Sequence, residues 1–273
     1  AVQFENVEIG IARTRADYNG CEKVQEIKAL FVRQIRAAKH FIYAESQYFA
    51  SRAVAEAILA RLQEDEPPEI VIVHPEHADG WLEQQAMDHS RAMLVRAIEA
   101  GDKHRRFSLW MPRAGETAIY VHAKLTIIDD RILRIGSANL NNRSMGLDSE
   151  CDVFIDSHRT ANSHAGAAIA ALRHSLLAEH LGLEEKDIPG LLERHGSMRS
   201  LIEARAERAG RHLLRYRPPP LSDAEKALAE SELLDPERPE DMFEPFAKGG
   251  LFRKGSRLSH MRERLRRHRK APQ

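Results

Sequence analysis

The sequence is poor in the features that define several classes of protein. It has two cysteines in 273 residues, Cys21 and Cys151, which excludes a disulfide framework and a cysteine-based zinc site. Lys plus Arg and Asp plus Glu both number 41, so the whole-chain charge favours no particular partner. The sequence has no run of about 18 apolar residues that could span a membrane. A cytoplasmic or peripheral membrane location is therefore favoured, and the choice between them stays open.

The start of the chain also lacks a signal. It shows neither a signal peptide nor an initiator Met, and its first residues read directly into structure, as expected of a piece cut from a longer chain. The hydrophobic content of 42% is that of a protein with a buried core. A length of 273 residues suffices for one large domain or for a domain with an appendage.

Apolar periodicity predicts alternating helices and strands in the first part of the chain. Apolar residues at helical spacing predict a helix over 21–39, and short apolar runs predict strands over 41–44 and 69–73. Ser51 is a candidate N-cap for a second helix, which Pro67 ends.

From residue 118 the pattern changes to closely spaced strands. They are predicted over 119–123, 125–128, 132–135 and 151–155, and a helix over 159–181 closes the segment. Helix–strand alternation followed by a strand cluster predicts an α/β layered domain with a mixed β-sheet flanked by helices. We place this domain at 1–182 and assign 183–273 to a charged, largely helical or irregular C-terminal extension.

The extension carries opposite charges in separate blocks. Residues 221–245 hold nine acidic residues against two basic ones, a net charge of −7. Residues 251–273 hold nine basic residues against one acidic residue, a net charge of +8, with apolar residues at helical spacing among them. This basic block is compatible with a helix on anionic lipid, with contacts to nucleic acid phosphates, or with a tail neutralised by the acidic block.

The residues that point to chemistry begin with His122 and Lys124. Because they are two apart in a predicted strand, both side chains leave the same face, while Val121, Leu125 and Ile127 leave the other. A strand that lines a reaction centre needs such a polar pair on one face and a core-like opposite face. From these residues alone, a solvated strand face is an equally good explanation.

A second polar run follows the next apolar strand. Gly136 allows a close approach by backbone or ligand, and Ser137 and Asn139 offer neutral hydrogen bonds from one face. Glu150 stands just before another strand, from which it could reach back to an imidazole. These residues favour a functional site over a solvated face.

With this spacing the sequence resembles the phospholipase D superfamily. The signature of that family is His-x-Lys, an Asp five residues after the Lys, and Gly-Ser-x-Asn downstream; it is present as His122, Lys124, Asp129, Gly136, Ser137 and Asn139. The resemblance spans roughly residues 7–180. Residues 42–49 look like the strand before a polar turn in the C-terminal halves of bacterial two-motif members. Glu45 and Gln47 at the end of this strand are candidates for shaping the site, or for ordinary loop capping.

The resemblance implies covalent phosphodiester chemistry through a phosphohistidine. One imidazole is the nucleophile and another the general acid, and in two-motif relatives the C-terminal histidine is usually the acid, which favours that role for His122. Lys124 would supply positive charge and, with Ser137 and Asn139, bind the non-bridging phosphate oxygens. Glu150 would hold the second nitrogen of His122.

Asp129 belongs to the signature and is counted with the catalytic set. Its side chain has the parity opposite to that of Lys124, so we expect it to fix the loop rather than to touch substrate. The resemblance implies no metal, and we predict no cofactor. It also implies two half-sites, from a duplication or a homodimer, whereas this sequence holds one complete signature.

The sequence therefore predicts a phospholipase D-like phosphodiesterase or phosphatidyltransferase that supplies one of two half-sites. Its expected partners are a phospholipid substrate, a second half-site from an N-terminal half or a second subunit, and a membrane surface; nucleic acid is less favoured. One alternative is a homodimeric nuclease of the superfamily, although such nucleases usually lack a long appendage. The other is a non-catalytic membrane-binding or scaffold fragment, against which the intact signature argues. The headgroup, and the choice between hydrolysis and transfer, stay open.

Overall fold

The computed structural model describes residues 4–17, 20–77, 81–205 and 210–220, with the backbone alone over 81–86. The strands are β1 (Gly10–Arg15), β2 (Val24–Gln25), β3 (Phe41–Ser46), β4 (Glu69–Val73), β5 (Phe107–Ala114), β6 (Thr117–Ala118), β7 (Lys124–Ile128), β8 (Ile132–Gly136), β9 (Glu150–Asp156) and β10 (Arg211–Arg215). The helices are α1 (Glu26–Ala37), α2 (Arg52–Leu62), α3 (Trp81–Gly101), α4 (Asn142–Gly146), α5 (Gly166–Leu181), α6 (Ile188–His195) and α7 (Met198–Glu203).

The strands form one mixed sheet in the order β10-β5-β4-β3-β7-β8-β9-β1-β2, with β6 added to β5. β3, β4 and β5 are parallel neighbours, and α2 and α3 make the crossovers that parallel strands require. From β3 through β7 and β8 to β9 the pairings are antiparallel. The predicted α/β layered domain with a mixed sheet is therefore confirmed.

Alternation along the central strands divides the core into two layers. In β4, Ile70 and Ile72 belong to the cluster that includes α1, α2 and α3, whereas Val71 and Val73 belong to the cluster that includes α5, α6 and α7. All four side chains are at most 1% exposed. Burial on both faces is what strands in the parallel part of an α/β sheet show.

Two helix predictions can be compared with the structure directly. The Ser51 hydroxyl accepts a hydrogen bond from the Val54 N–H at 3.4 Å, so the predicted N-cap of α2 is confirmed. The helix predicted over 21–39 is shorter at its start. Val24 and Gln25 pair with β1 as β2, and α1 begins only at Glu26.

The strand predicted over 119–123 is not formed, and this prediction was wrong. β6 pairs with β5 and ends at Ala118, whereas β7 pairs with β3 and begins at Lys124. Because β4 lies between β5 and β3, the residues that follow β6 have to pass from a position beside β5 to the position beside β3 that β7 occupies. A chain that crosses the end of the sheet cannot stay in a ladder, so His122 lies outside any strand, just before β7.

Residues after 182 pack against the same sheet. β10 pairs antiparallel with β5, and Ile188, Leu201 and Leu213 are fully buried in the cluster that α5 shares. The boundary placed at 182 therefore falls inside this packed body, because the charged pattern of the segment conceals its few apolar anchors. The acidic and basic blocks within 221–273, and the helical pattern of the basic block, lie outside the described residues.

Across the described ranges, no helix combines the length and the apolarity needed to cross a membrane.

A buried ion pair joins β8 to β9. Arg134 is 1% exposed and pairs with Asp152, which is fully buried. The guanidinium also donates to Thr126 Oγ1 at 3.1 Å and stacks on Phe31, 3.6 Å from the ring centroid. The second oxygen of the carboxylate, Oδ1, accepts the N–H of Ala138 at 3.1 Å, so the same group ties the loop after β8 to the sheet.

We predict that Asp152→Ala lowers the free energy of unfolding by about 3–5 kcal/mol, because it leaves the guanidinium of Arg134 buried without its carboxylate. Urea unfolding followed by circular dichroism measures this change. Asp156→Ala on the same strand is the matched control. Its partner Arg131 lies 2.8 Å away, but both side chains are more than a fifth exposed, so a loss of about 1 kcal/mol or less is expected. Equal losses in the two variants would contradict the prediction.

Candidate active site

A pocket of about 700 Å³ lies where the ends of the central strands β3, β7 and β8 meet. Its polar lining is Glu45, Gln47, His122, Lys124, Ser137 and Asn139; its apolar lining is Ala123, Leu125, Ile135, Leu172 and Leu176, with Gly136 between them. Four of the six predicted site residues therefore share this pocket. The other two, Glu150 and Asp129, are absent from its lining.

The register of the sheet brings these residues together. Leu125 near the start of β7 pairs with Ile135 near the end of β8, and Lys124 pairs with Ser46 at the end of β3. The end of β3, the start of β7 and the end of β8 therefore lie side by side. Polar residues at and just beyond these strand ends face a common space.

Lys124 is half-buried and held by two acceptors. Its Nζ donates to Gln47 Oε1 at 3.0 Å and to the carbonyl of His122 at 2.9 Å. The amide nitrogen of Gln47 in turn donates to the hydroxyl of Tyr120 at 2.7 Å. Burial lowers the pKa of Lys124, and the carboxylate of Glu150 partly offsets this by raising it. Gln47 was a candidate either for shaping the site or for ordinary loop capping, and its contacts with Lys124 and Tyr120 are those of a residue that shapes the site.

His122 is exposed at the mouth of the pocket. Its ring makes no hydrogen bond within the described part of the chain, and its carbonyl accepts from Lys124. An exposed imidazole at a pocket rim can reach a reacting group from solvent or from a second molecule.

The expected hydrogen bond from the imidazole of His122 to the carboxylate of Glu150 is not formed. Glu150 instead accepts from the hydroxyl of Ser137, and its Oε1 accepts from the hydroxyl of Ser144 at 2.7 Å. Each oxygen of the carboxylate therefore accepts a hydrogen bond from one serine hydroxyl. The hydroxyl of Ser137 also accepts the N–H of Cys151 at 3.0 Å, so its hydrogen points to Glu150 and not into the pocket.

Asn139 is the part of the Gly-Ser-x-Asn run that is left to bind a ligand. It is 9% exposed, its N–H donates to Ser144 Oγ at 3.1 Å, and its Oδ1 lies 3.5 Å from Ser46 Oγ. Among the described residues its Nδ2 donates to no acceptor. The side chain can thus offer an N–H to an oxygen in the pocket.

Gly136 is required by the buried ion pair behind the loop. A Cβ at this position would lie 1.9 Å from Oδ1 of Asp152 and 2.6 Å from its Cα, distances that no rotamer change relieves. The carboxylate of Asp152 can reach the N–H of Ala138 only because this space is empty. The glycine of the signature therefore serves the loop rather than a ligand.

Asp129 lies at the far end of β7 from the pocket. Its carboxylate accepts the backbone N–H groups of Lys39 at 2.7 Å, His40 at 2.8 Å and Phe41 at 2.8 Å, which ties the turn after β7 to the start of β3. Its own backbone is left-handed, with φ of 54°. Asp129 therefore does not join the site, and its contacts are those of a residue that fixes the loop.

No signal in the sequence pointed to one contact at the pocket, the pairing of Glu45 with His180. The carboxylate of Glu45 is 5% exposed, and its Oε1 accepts the hydroxyl of Tyr43 at 2.6 Å and lies 2.9 Å from Nε2 of His180 on α5. Glu45 was a candidate for shaping the site, but His180 was not. A single histidine 135 positions away carries no local pattern that could have linked it to Glu45.

In the described ranges, no group of three or more His, Cys, Asp and Glu side chains is arranged to hold a metal ion.

Comparison with known proteins places this geometry in a family. The sequence model of the family described as "Cardiolipin synthase, PLD-like domain" matches residues 31–168, about half of the chain. The chain belongs to this family and, with it, to the phospholipase D superfamily, which hydrolyses and transfers phosphodiesters. The predicted superfamily is therefore confirmed.

Two curated relatives show how much of a full-length protein the match covers. Phospholipase D zeta 1 of Arabidopsis thaliana is 31% identical over 229 residues, which cover 64% of this chain and 21% of that protein. Phospholipase D of Phytophthora infestans is 28% identical over 212 residues, 59% of this chain and 12% of that protein. The match thus spans about a fifth or less of these relatives.

Two solved structures are similar at low identity. Phosphatidylserine synthase of Haemophilus influenzae Rd KW20 is 15% identical with a TM-score of 0.48, covering 75% of this chain and 48% of that chain. Nuc of Salmonella typhimurium, a phospholipase D family member, is 17% identical with a TM-score of 0.38, covering 59% of this chain and 92% of that chain.

We predict that Lys124 titrates below the ordinary range of lysine and that Glu150→Gln lowers its pKa further, because the variant removes the negative charge that favours the ammonium. As pH rises through this lowered pKa, Lys124 loses its proton and with it the positive charge that it brings to the pocket. Competitive labelling with acetic anhydride, resolved by peptide mass spectrometry, measures the pKa. Glu184→Gln on the exposed surface is the control and should leave it unchanged. A rise in the pKa in Glu150→Gln would contradict this account.

Proposed function

We propose that this chain supplies one half of a phospholipase D-type active site that hydrolyses or transfers the phosphodiester of a phospholipid. The observation that carries the proposal is the convergence of His122, Lys124 and Asn139 in one pocket with an apolar wall. These groups provide an imidazole, a fixed positive charge and an amide donor, which together suit a phosphodiester anion.

The chemistry needs two imidazoles on opposite sides of phosphorus. One attacks phosphorus and forms a P–N bond while the P–O bond to the leaving alcohol breaks, and the other donates a proton to that alcohol. The second imidazole then takes a proton from water or an acceptor alcohol, whose oxygen attacks phosphorus and breaks the P–N bond. In this scheme His122 is the general acid and base, and Lys124 with Asn139 holds the non-bridging oxygens.

Because the reaction needs two imidazoles, we infer that this chain supplies only one of two half-sites. The chain has one complete signature, and among the described residues His122 is the only histidine in the lining of the pocket. The exposure of His122 leaves room for a second imidazole to approach from outside. A second copy or a separate half-domain with its own His-x-Lys would provide it.

The apolar part of the pocket supports a lipid over a nucleic acid. Leu125 and Ile135 on the sheet and Leu172 and Leu176 on α5 stand beside the phosphate-binding groups. Stacking platforms and basic grooves are what single-stranded nucleic acid requires, and this wall is aliphatic. An amphiphilic phosphodiester can place its charge against Lys124 and its hydrocarbon against the leucines.

An exposed apolar row beside the pocket is where the second half-site would dock. Ile135, Val153 and Ile11 are cross-strand neighbours on β8, β9 and β1, and they are 45%, 38% and 59% exposed. Ile135 is also part of the pocket wall. A partner that brings an imidazole to His122 from this side would bury these apolar side chains and exclude water from them.

The chain is predicted to release the headgroup of labelled phosphatidylcholine or of a cardiolipin precursor in the presence of EDTA. His122→Ala should lower the rate by about 10²–10⁴-fold, because proton transfer to the leaving oxygen is lost. The assay is run over a wide range of chain concentration, since two half-sites from two copies assemble only when copies meet, and again with an added His-x-Lys half-domain.

The control variant is His104→Ala, a histidine exposed in the loop between α3 and β5, which should leave the rate unchanged. Loss of activity in EDTA would overturn the metal-free mechanism. Cleavage of plasmid DNA without any cleavage of phospholipid would favour the nuclease. No activity on any substrate at any concentration, with or without the added half, would favour the scaffold.

For the docking row, Val153→Asp should weaken association with the second half-site and lower phospholipid cleavage by at least about tenfold, because a charge replaces apolar contact area. Sedimentation velocity measures the association. Leu214→Asp on β10, at the opposite edge of the sheet and 40% exposed, is the matched control and should change neither. Equal association of the two variants would rule out this surface.

A further inference from the structure

Glu45 places a buried carboxylate at the wall of a pocket that is suited to an anion. It is 5% exposed and sits on β3 opposite Leu125 of β7. Its Oε1 has two partners, the hydroxyl of Tyr43 at 2.6 Å and Nε2 of His180 at 2.9 Å. Its other oxygen, Oε2, accepts no hydrogen bond within the described part of the chain.

Burying a carboxylate in this position is energetically unfavourable, so its presence calls for a functional or structural explanation. A buried ionised carboxylate is unfavourable unless its oxygens receive hydrogen bonds, and it repels a phosphodiester nearby. Ionised, it can only accept hydrogen bonds. The oxygen without a partner therefore fits a ligand group that carries a donor, and not the phosphate itself.

The charges of the pocket are arranged in two separate places. Lys124 is held by Gln47 and by the carbonyl of His122, and the carboxylate that acts on its charge is Glu150. Within the described part of the chain, Glu45 forms no ion pair with this lysine, and its partners are Tyr43 and His180. The pocket thus has a cationic end that suits a phosphate and a separate acceptor at Glu45.

The neighbours of Glu45 hold it in place and occupy one of its two oxygens. Burial, and next the Glu45 carboxylate, raise the pKa of Tyr43 well above its usual value, so its hydroxyl stays a donor at ordinary pH. His180 approaches from α5, the helix that also provides Leu172 and Leu176 to the pocket. Oε1 is therefore fully engaged, and Oε2 is the atom left for a ligand.

We propose that Glu45 recognises the alcohol part of the phosphodiester through a hydroxyl or ammonium group that this alcohol carries. The substrate class is then a phospholipid with a polyol or amino-alcohol headgroup, and the same contact would select the acceptor alcohol in a transfer. This inference rests on the proposed function. It adds a specificity-determining residue that takes no part in bond breaking.

A purely structural role is the competing explanation, because Glu45 also joins β3 to α5. The two explanations differ in one measurable way. A structural residue affects all substrates equally, whereas a specificity residue affects only those whose headgroup carries a donor. Glu45→Gln keeps the shape of the side chain and removes its charge, and it is the variant to compare.

The experiment compares three phospholipids with the same diacylglycerol and different headgroups: ethanolamine, glycerol and a methyl ester without a donor. In the wild-type chain kcat/KM should favour ethanolamine over methyl by about tenfold or more, the size of a hydrogen bond to a charged group. Glu45→Gln should bring that ratio to within about threefold, with the rate on the methyl ester within about threefold of wild type. The ratio for glycerol should fall less, since the new amide oxygen still accepts from a hydroxyl.

The matched control is Glu69→Gln, a glutamate that is 7% exposed at the start of β4, away from the pocket, where it accepts the N–H groups of Met198 and Arg199. It should keep the wild-type ratio. Equal loss on all three esters in Glu45→Gln, or an unchanged ratio, would overturn the inference while leaving the proposed function intact.

A binding measurement tests the inference independently of turnover. Calorimetry with glycerophosphoethanolamine and with the methyl ester of glycerol phosphate should show tighter binding of the first to wild type, and equal binding of both to Glu45→Gln. If no phospholipid is cleaved, the proposed function fails, and this comparison still decides the role of Glu45. Equal affinities in the wild-type chain would refute it.

Discussion

The carboxylate of Asp152 is the group on which the arrangement of the site depends most. It neutralises the buried guanidinium of Arg134 on the neighbouring strand and accepts the N–H of Ala138 in the loop that follows β8. One side chain thus sets both the pairing of β8 with β9 and the position of Asn139. Gly136 has to be a glycine because this carboxylate fills the space that a Cβ would take. A buried pair of this kind is costly to break, since either partner left alone is an unpaired buried charge.

From that anchored loop the pocket is completed by three strand ends and one helix. β7 supplies Lys124, which Gln47 on the chain after β3 holds in place. α5 supplies the apolar wall and, through His180, a partner for the Glu45 carboxylate. The helix that covers one face of the sheet therefore also shapes the pocket. The same helix leaves Ile11 and Val153 uncovered, and the sheet next to the pocket stays apolar and exposed.

Sequence reasoning placed residues of the pocket together where spacing along the chain was enough. His122, Lys124, Ser137 and Asn139 share one pocket because the two short segments that carry them flank a β-hairpin pairing, which local sequence encodes well. It failed where the path of the chain mattered. The segment over 119–123 has the alternation of a strand, but it must cross from β5 to β3 and so makes no ladder. Glu150 does not meet His122, because its oxygens accept hydrogen bonds from the hydroxyls of Ser137 and Ser144 instead.

By itself the sequence determined the fold class, the order of most helices and strands, and the identity of polar residues that line the pocket. These follow from periodicity and short spacings, which depend on neighbours within a few residues. Only the tertiary structure decided that Asp129 serves the far end of β7, that residues after 182 extend the same core, and that Glu45 meets His180 across 135 positions. Such contacts depend on which strands become neighbours in the sheet. Strand order is set by the packing of the whole domain, and it cannot be predicted from any local pattern of residues.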